Sequence, residues 1–106
     1  MMTSPILLQI DFDYAGPYGD DLALQAAGLA ADIAVEPGLI WKIWTEDRDT
    51  GCAGGWYVFQ TRAQAEAYLA KHSQRLCAFG VEAVRARFLT ANAALSAITR
   101  APVLTA

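Results

Sequence analysis

The sequence predicts an α+β domain in which two helices pack on one face of a four-stranded antiparallel sheet. Four segments show the alternation of strands, and two longer segments show the apolar spacing of amphipathic helices. They occur in the order strand, helix, strand, strand, helix, strand, which is the split βαβ arrangement of ferredoxin-like domains. We expect one such domain over residues 1–106, with about 92–106 as a C-terminal extension.

The first half of the chain supplies a strand, a helix and a second strand. Residues 6–14 alternate between apolar and polar side chains, and the glycine- and proline-rich stretch 15–19 interrupts them. The carboxylates of Asp20 and Asp21 favour a helix start, and this helix should run to about Val35. Turn chemistry at Glu36, Pro37 and Gly38 precedes the second strand, in which Leu39, Trp41, Ile43 and Thr45 should share one face. That strand has a tryptophan on each face, which indicates that both faces of the sheet are covered.

The second half supplies the remaining elements. Residues 55–60 form a hairpin with the preceding strand, and Thr61 to Gln64 has the form of a capping box that begins a helix. This helix should end near Phe79, before a fourth strand at 81–89. Residues 91–106 should contain a short helix followed by a frayed tail.

The composition indicates that apolar surface remains after the domain has folded. The chain is 55% hydrophobic and only 18% charged, whereas an ordinary soluble domain is roughly 25% charged. A ferredoxin-like sheet also leaves one face bare. Two sheets facing each other would cover both, so we expect a homodimer with the architecture of a dimeric α+β barrel.

Charge and motif content argue against several classes of protein. The net charge is −3 and the basic residues are scattered, so we expect no nucleic-acid and no membrane partner. The longest low-charge run, 22–35, is too short to span a bilayer. The first five residues lack the positive segment of a signal peptide, and Cys52 and Cys77 are expected to be free thiols, which favours a cytoplasmic protein. With one histidine and no cysteine pair, we expect neither a metal nor another cofactor.

His72 is the only histidine, and helical spacing places it on an apolar stripe between Tyr68 and Leu76. A histidine there is either a structural, hydrogen-bonded core residue or a functional group with a displaced pKa. Asp11 and Asp13 share one face of the first strand and form a second candidate for acid–base chemistry.

Aromatic residues on the two central strands are candidate walls for a flat apolar ligand. Trp41 and Trp44 lie on opposite faces, so at most one of them lines a given cavity. Trp56 and Tyr57 also lie on opposite faces, and the sequence does not say which of them lines the cavity. Core filling is the alternative for each of them. Lys42 and Glu46 share the face of Trp44, where either a solvated edge or a polar point in a cavity would explain their charges, and the solvated edge is favoured.

The block Pro37-Gly38-Leu39-Ile40-Trp41-Lys42-Ile43-Trp44-Thr45-Glu46 resembles the YdhR-type mono-oxygenase family. Further blocks resemble the family in the same order, and the resemblance extends to about Ile98. They are 16–20, 54–59, 68–72, 75–76 and 80–82. The resemblance implies a dimeric α+β barrel and a mono-oxygenase that oxidises a small phenol- or anthrone-like compound with dioxygen, without a cofactor. The implied activity is similar to that of quinone-forming oxygenases, in which the substrate carbanion itself reduces dioxygen.

On this resemblance, we expect catalytic roles for His72, Trp44 and Tyr57, with His72 assisting proton transfer. Trp41, Tyr68 and Trp56 are expected to bind the substrate. The related oxygenases place an asparagine beside the reacting group, whereas the only asparagine of this chain, Asn92, follows the fourth strand.

Two other functions fit the same residues. One is a non-catalytic dimeric module that binds a small apolar molecule in the aromatic pocket. The other is a barrel isomerase or lyase in which His72 or Asp13 carries the proton.

Overall fold

The computed structural model describes residues 5–105 and confirms the predicted α+β ferredoxin-like order. Its elements are β1 (Ile6–Asp13), α1 (Gly19–Ala34), β2 (Leu39–Asp47), β3 (Cys52–Phe59), α2 (Arg62–Ala78), β4 (Arg85–Thr90) and α3 (Ala93–Ile98). The signal-peptide prediction concerns residues that, apart from Pro5, lie outside this described part. None of the helices in residues 5–105 has the length and apolar character needed to cross a bilayer.

The four strands form one antiparallel sheet in the order β2-β3-β1-β4. The predicted alternation of β1 is observed, because Ile6, Leu8, Ile10 and Phe12 are all buried on one face. Side chains of both helices pack against this inner face. They are Ile33 of α1 and Ala65, Tyr68, His72 and Leu76 of α2.

A β-bulge at the start of β2 changes which residues share a face. Leu39 is paired with Phe59 and Trp41 with Val58, so Ile40 is an extra residue between two successive pairs. Leu39 therefore packs on the inner face, whereas Trp41 lies on the outer face. The prediction that Leu39 and Trp41 share a face is wrong, because simple alternation has no place for the inserted residue.

β3 begins at Cys52, earlier than predicted. Glycines in a sequence are typical of a turn, but Gly54 and Gly55 lie inside this strand. A Cβ at Gly54 would stand 1.9 Å from the carbonyl oxygen of Ile10, so only glycine allows the two backbones to approach this closely. At the other end of β3, the predicted cap of α2 is present, because Thr61 Oγ1 accepts a hydrogen bond of 3.2 Å from Gln64 N.

β4 begins at Arg85, later than predicted, because Val81 takes part in capping the C-terminal end of α2, which ends at Ala78. Val81 N donates to the carbonyl oxygen of Leu76, and the Val81 side chain packs against the core.

The C-terminal segment lies against the outer face of the sheet instead of fraying. Trp41 Nε1 donates a hydrogen bond of 2.6 Å to the carbonyl oxygen of Val103. Val58, the partner of Trp41 in β3, is fully buried although it points away from the helices. The tail therefore covers part of the face that the sequence analysis assigned to a second subunit.

Candidate functional site

A cavity of about 880 Å³ lies between the inner face of the sheet and the helices α1 and α2, with the loop 14–18 at its edge. Most of its wall is apolar. The apolar and aromatic wall includes Phe12, Leu22, Leu29, Trp44, Tyr57, Leu76 and Val81. Lys42 and His72 are the nitrogen-bearing side chains that interrupt it on the sheet and on α2. A cavity of this size and character is typical of a small-molecule site.

The bulge and a glycine position Lys42 and Trp44 on the cavity wall. After Ile40, alternation places Lys42 opposite Tyr57 and Trp44 opposite Gly55, both on the inner face. A Cβ at Gly55 would stand 2.7 Å from Lys42 Cε, so the missing side chain makes room for the lysine. The local sequence thus folds a charged residue inward beside two aromatic rings.

Lys42 is held by aromatic rings and not by a carboxylate. Its Nζ lies 3.4 Å from the ring centroid of Trp44 and 4.6 Å from that of Tyr57. Within residues 5–105, Nζ has no hydrogen-bond or salt-bridge partner, yet it is not sealed from the cavity. Burial, and secondarily the charge of Arg75, lowers the pKa of Lys42 to about 7. Of the two alternatives for this residue, the structure supports the polar point in a cavity, and the favoured solvated edge is wrong.

His72 is a neutral ring with a defined tautomer. Arg75 donates to His72 Nδ1 from Nε at 3.2 Å and from Nη2 at 2.9 Å, and its Nη1 bonds Asp32 Oδ2 at 2.7 Å. A guanidinium cannot accept a hydrogen bond, so Nδ1 carries no proton and Nε2 does. Burial, followed by the charges of Lys42 and Arg75, lowers the pKa of His72 to about 3.

The Nε2–H group of His72 is available to a ligand. In the described part of the chain it has no hydrogen-bond partner, and it is not among the fully enclosed unsatisfied atoms. Since His72 contributes to the cavity wall, this N–H is a donor facing the cavity. His72 can donate a hydrogen bond there, but its only lone pair is occupied by Arg75.

Tyr57 and Tyr68 form a hydrogen-bonded pair at the back of the site. The Tyr68 hydroxyl donates to the Tyr57 hydroxyl at 3.2 Å, and the Tyr68 ring stacks on His72 with centroids 5.0 Å apart. Burial raises the pKa of Tyr57 to about 12 and also raises the pKa of Tyr68, so both stay protonated at neutral pH. Tyr57 lines the cavity, whereas Tyr68 supports Tyr57 and His72 from behind.

The structure brings together three of the six predicted site residues on the cavity wall. These are Trp44, Tyr57 and His72, with Tyr68 directly behind them. Trp41 and Trp56 lie on the outer face of the sheet, where Trp56 is adjacent to Ile43, so neither contributes to this cavity. The sequence allowed Lys42 a place in a cavity but gave it no site role, although its position one residue from Trp41 and two from Trp44 on an aromatic strand was the available signal.

The remaining candidate groups have structural partners. Arg85 bonds both Asp11 and Asp13, and the second contact is 3.2 Å between Nη1 and Oδ1. Glu46 Oε1 accepts from Gly19 N at 2.8 Å and so holds the start of α1. Within residues 5–105, no group of three or more His, Cys, Asp or Glu side chains is placed to hold a metal ion.

Comparison with known proteins adds one finding. The family model described as "Putative mono-oxygenase ydhR" matches residues 7–102, which include every residue of the cavity wall. No curated protein matches the chain.

We predict that Lys42 reacts as an amine near neutral pH, because burial beside Arg75 disfavours its ammonium form. The measurement is trace acylation with acetic anhydride at a series of pH values, read by mass spectrometry of the Lys42 peptide. Its labelling rate should show an inflection near pH 7. Lys71, which lies outside the cavity and pairs with Glu36, serves as the internal reference for reagent decay. An inflection near the ordinary lysine value of 10.5 would contradict the burial of Lys42.

Proposed function

Because the family model spans most of its length, the chain belongs to the ydhR mono-oxygenase family, and we propose that it is a cofactor-independent enzyme of this kind. Its substrate is a small phenol- or anthrone-like compound, and its oxidant is dioxygen. The observation that supports the proposal is the mainly apolar cavity of about 880 Å³ with Trp44, Tyr57 and His72 on its wall. This volume accommodates an aromatic compound of one to three rings.

The reaction requires no external reductant. A ring CH or CH₂ carbon conjugated to an oxygen function loses a proton, and the resulting carbanion transfers electrons to dioxygen. The carbon becomes a carbonyl that contains one oxygen atom of dioxygen, and the second oxygen atom leaves as water. The substrate supplies all the electrons, so an anthrone or phenol is converted to a quinone.

The cavity residues favour this chemistry in different ways. Trp44 and Tyr57 offer rigid apolar surfaces against which a flat ring can stack, and they keep water away from the carbanion. Because ionisation places negative charge on the substrate oxygen, the His72 Nε2–H group stabilises the ionised form by donating to it. This role differs from the proton transfer expected for His72, since Arg75 occupies the Nδ1 lone pair.

Asn92 does not supply the amide found in the related oxygenases. Its Oδ1 accepts a hydrogen bond of 3.0 Å from Leu95 N and caps α3. The imidazole N–H group of His72 is therefore the neutral nitrogen donor that α2 presents on the cavity wall.

The enzyme acts as a homodimer in this proposal, with a second copy covering the outer face of the sheet. That face carries apolar side chains that the C-terminal segment covers only in part, and Ile43 is 50% exposed in the single chain. Leu89 on β4 is also exposed, opposite Leu7 on β1. Burying these side chains against their copies would complete a dimeric α+β barrel.

We predict that the protein accelerates oxygen uptake with at least one member of a panel of phenols, anthrones and hydroquinones. The product formed under ¹⁸O₂ should carry one labelled oxygen atom by mass spectrometry. His72→Ala should lower kcat by about a hundredfold, because a donor to the developing oxyanion is lost. Trp44→Phe should mainly raise KM, because part of the stacking surface is removed.

The matched control for Trp44→Phe is Trp56→Phe, which makes the same change on the outer face and should alter kcat/KM by less than about twofold. Uptake no faster than the protein-free rate across the panel would contradict the proposal and favour a non-catalytic module that binds an apolar ligand. Uptake without ¹⁸O in the product would indicate an oxidase instead.

We predict that the protein is a dimer with twice the chain mass of 11.4 kDa by size exclusion with light scattering. Ile43→Lys should shift it toward monomer, because a charge would be buried in the interface. Leu24→Lys is the matched control, since Leu24 is 79% exposed on α1, away from the sheet. A monodisperse wild-type monomer at micromolar concentration would exclude the dimer.

A further inference from the structure

Lys42 is a cation of the cavity wall that no carboxylate in residues 5–105 pairs with, and Asp13, a carboxylate on the same wall, bonds Arg85 instead. Arg75 lies near enough to influence the pKa of Lys42. The other nearby acids are engaged elsewhere. Asp32 bonds Arg75 at the surface, and Glu46 bonds the backbone of Gly19.

Two nitrogen donors on the cavity wall, Lys42 Nζ and His72 Nε2, have no hydrogen-bond partner among residues 5–105. Lys42 is close enough to His72 that its charge lowers the pKa of His72. A neutral apolar ligand would bury both donors unsatisfied and would leave the lysine charge without a counter-ion. An oxygen anion attached to an aromatic ring satisfies all of these groups at once, and its ring fits between the aromatic walls.

We propose that the cavity binds its aromatic ligand as an oxyanion, with the phenolate or enolate oxygen held by Lys42 Nζ and His72 Nε2–H. We further infer that Lys42, in its amine form, is the base that removes the ligand's proton. The O–H bond of the ligand breaks, an N–H bond forms on Lys42, and the ammonium and the oxyanion remain paired. The reading of this ligand as the substrate rests on the proposed function, but the binding step itself needs no oxidant.

The titration behaviour of the surrounding groups supports this assignment. At neutral pH Lys42 is divided between amine and ammonium, so it can accept a proton, whereas His72 has no free lone pair. The other groups that face Lys42 do not compete. Tyr57 stays protonated, and the Arg75 guanidinium can only donate hydrogen bonds. At the cavity edge, burial raises the pKa of Tyr14, and Asp13 bonds Arg85.

The test uses 4-nitrophenol, whose phenol and phenolate forms absorb at different wavelengths, together with 4-nitroanisole, which has the same ring but cannot ionise. With wild-type protein in excess, the pKa of bound 4-nitrophenol should fall by about one unit or more, because an opposite charge within a few ångströms favours the anion. Lys42→Met should abolish this shift and weaken nitrophenolate binding by about tenfold or more. It should not weaken the binding of 4-nitroanisole, because a neutral ligand gains nothing from the lysine charge.

Two control variants separate the site from general charge effects. Lys71→Met removes the same charge outside the cavity and should leave the nitrophenol pKa shift intact. Lys42→Arg keeps a cation and should retain most of the affinity for nitrophenolate. Loss of 4-nitroanisole binding by Lys42→Met would indicate that this variant does not fold. In that case the pKa shift of 4-nitrophenol on wild-type protein and the nitrophenolate affinity of Lys42→Arg test the proposal.

An unchanged or raised pKa of 4-nitrophenol on wild-type protein would overturn the inference, and so would the absence of any binding. Equal nitrophenolate affinity in wild type and Lys42→Met would overturn it as well. If the pKa of bound 4-nitrophenol falls as expected but no substrate gives oxygen uptake, the result supports the oxyanion site and rejects only the oxygenase function.

Discussion

The hydrogen bonds of the Arg75 guanidinium are the interaction on which the site depends. Arg75 on α2 bonds Asp32 on α1 and the Nδ1 atom of His72, so it ties the two helices together beside the cavity. Because the guanidinium is a permanent cation and an obligate donor, it determines which nitrogen of His72 carries the proton. It also adds to the positive charge at Lys42. One side chain thus determines which histidine nitrogen donates and adds to the effect of burial in lowering the pKa of the lysine.

The sheet supplies the other half of the site through two local irregularities. The bulge at Ile40 moves Lys42 and Trp44 to the inner face, and Gly55 on β3 leaves the space that Lys42 occupies. The bulge interrupts the strict alternation of side chains along β2. The glycine removes a side chain from β3. Natural strands often carry such departures beside functional sites. Here they bring Lys42, which has no acidic partner in residues 5–105, beside two aromatic rings. Such cation–π contacts stabilise by only about 0.5–2 kcal/mol and leave the charge open to a ligand.

Much of the fold could be predicted from the sequence because its signals are local. The alternation of Ile6 to Phe12 and the capping residue Thr61 each depend on near neighbours in the chain, and both were confirmed. The site was less predictable because its causes are not local. The face of Trp44 depends on an inserted residue that alternation cannot detect, and the environment of Lys42 depends on a glycine across the hairpin. The ordering of the tail depends on a bond between Trp41 and Val103, 62 residues apart.

His72 is a neutral Nε2–H donor at every physiological pH in this site, beside a lysine that no carboxylate in residues 5–105 pairs with. His72 is the only histidine, so selectively ¹⁵N-labelled histidine gives a single ring in the NMR spectrum. We predict an unprotonated Nδ1 and a protonated Nε2 from pH 8 down to pH 4, because the pKa of His72 lies at about 3. Protonation of both nitrogens with a midpoint near 6.5, or a proton on Nδ1, would contradict it.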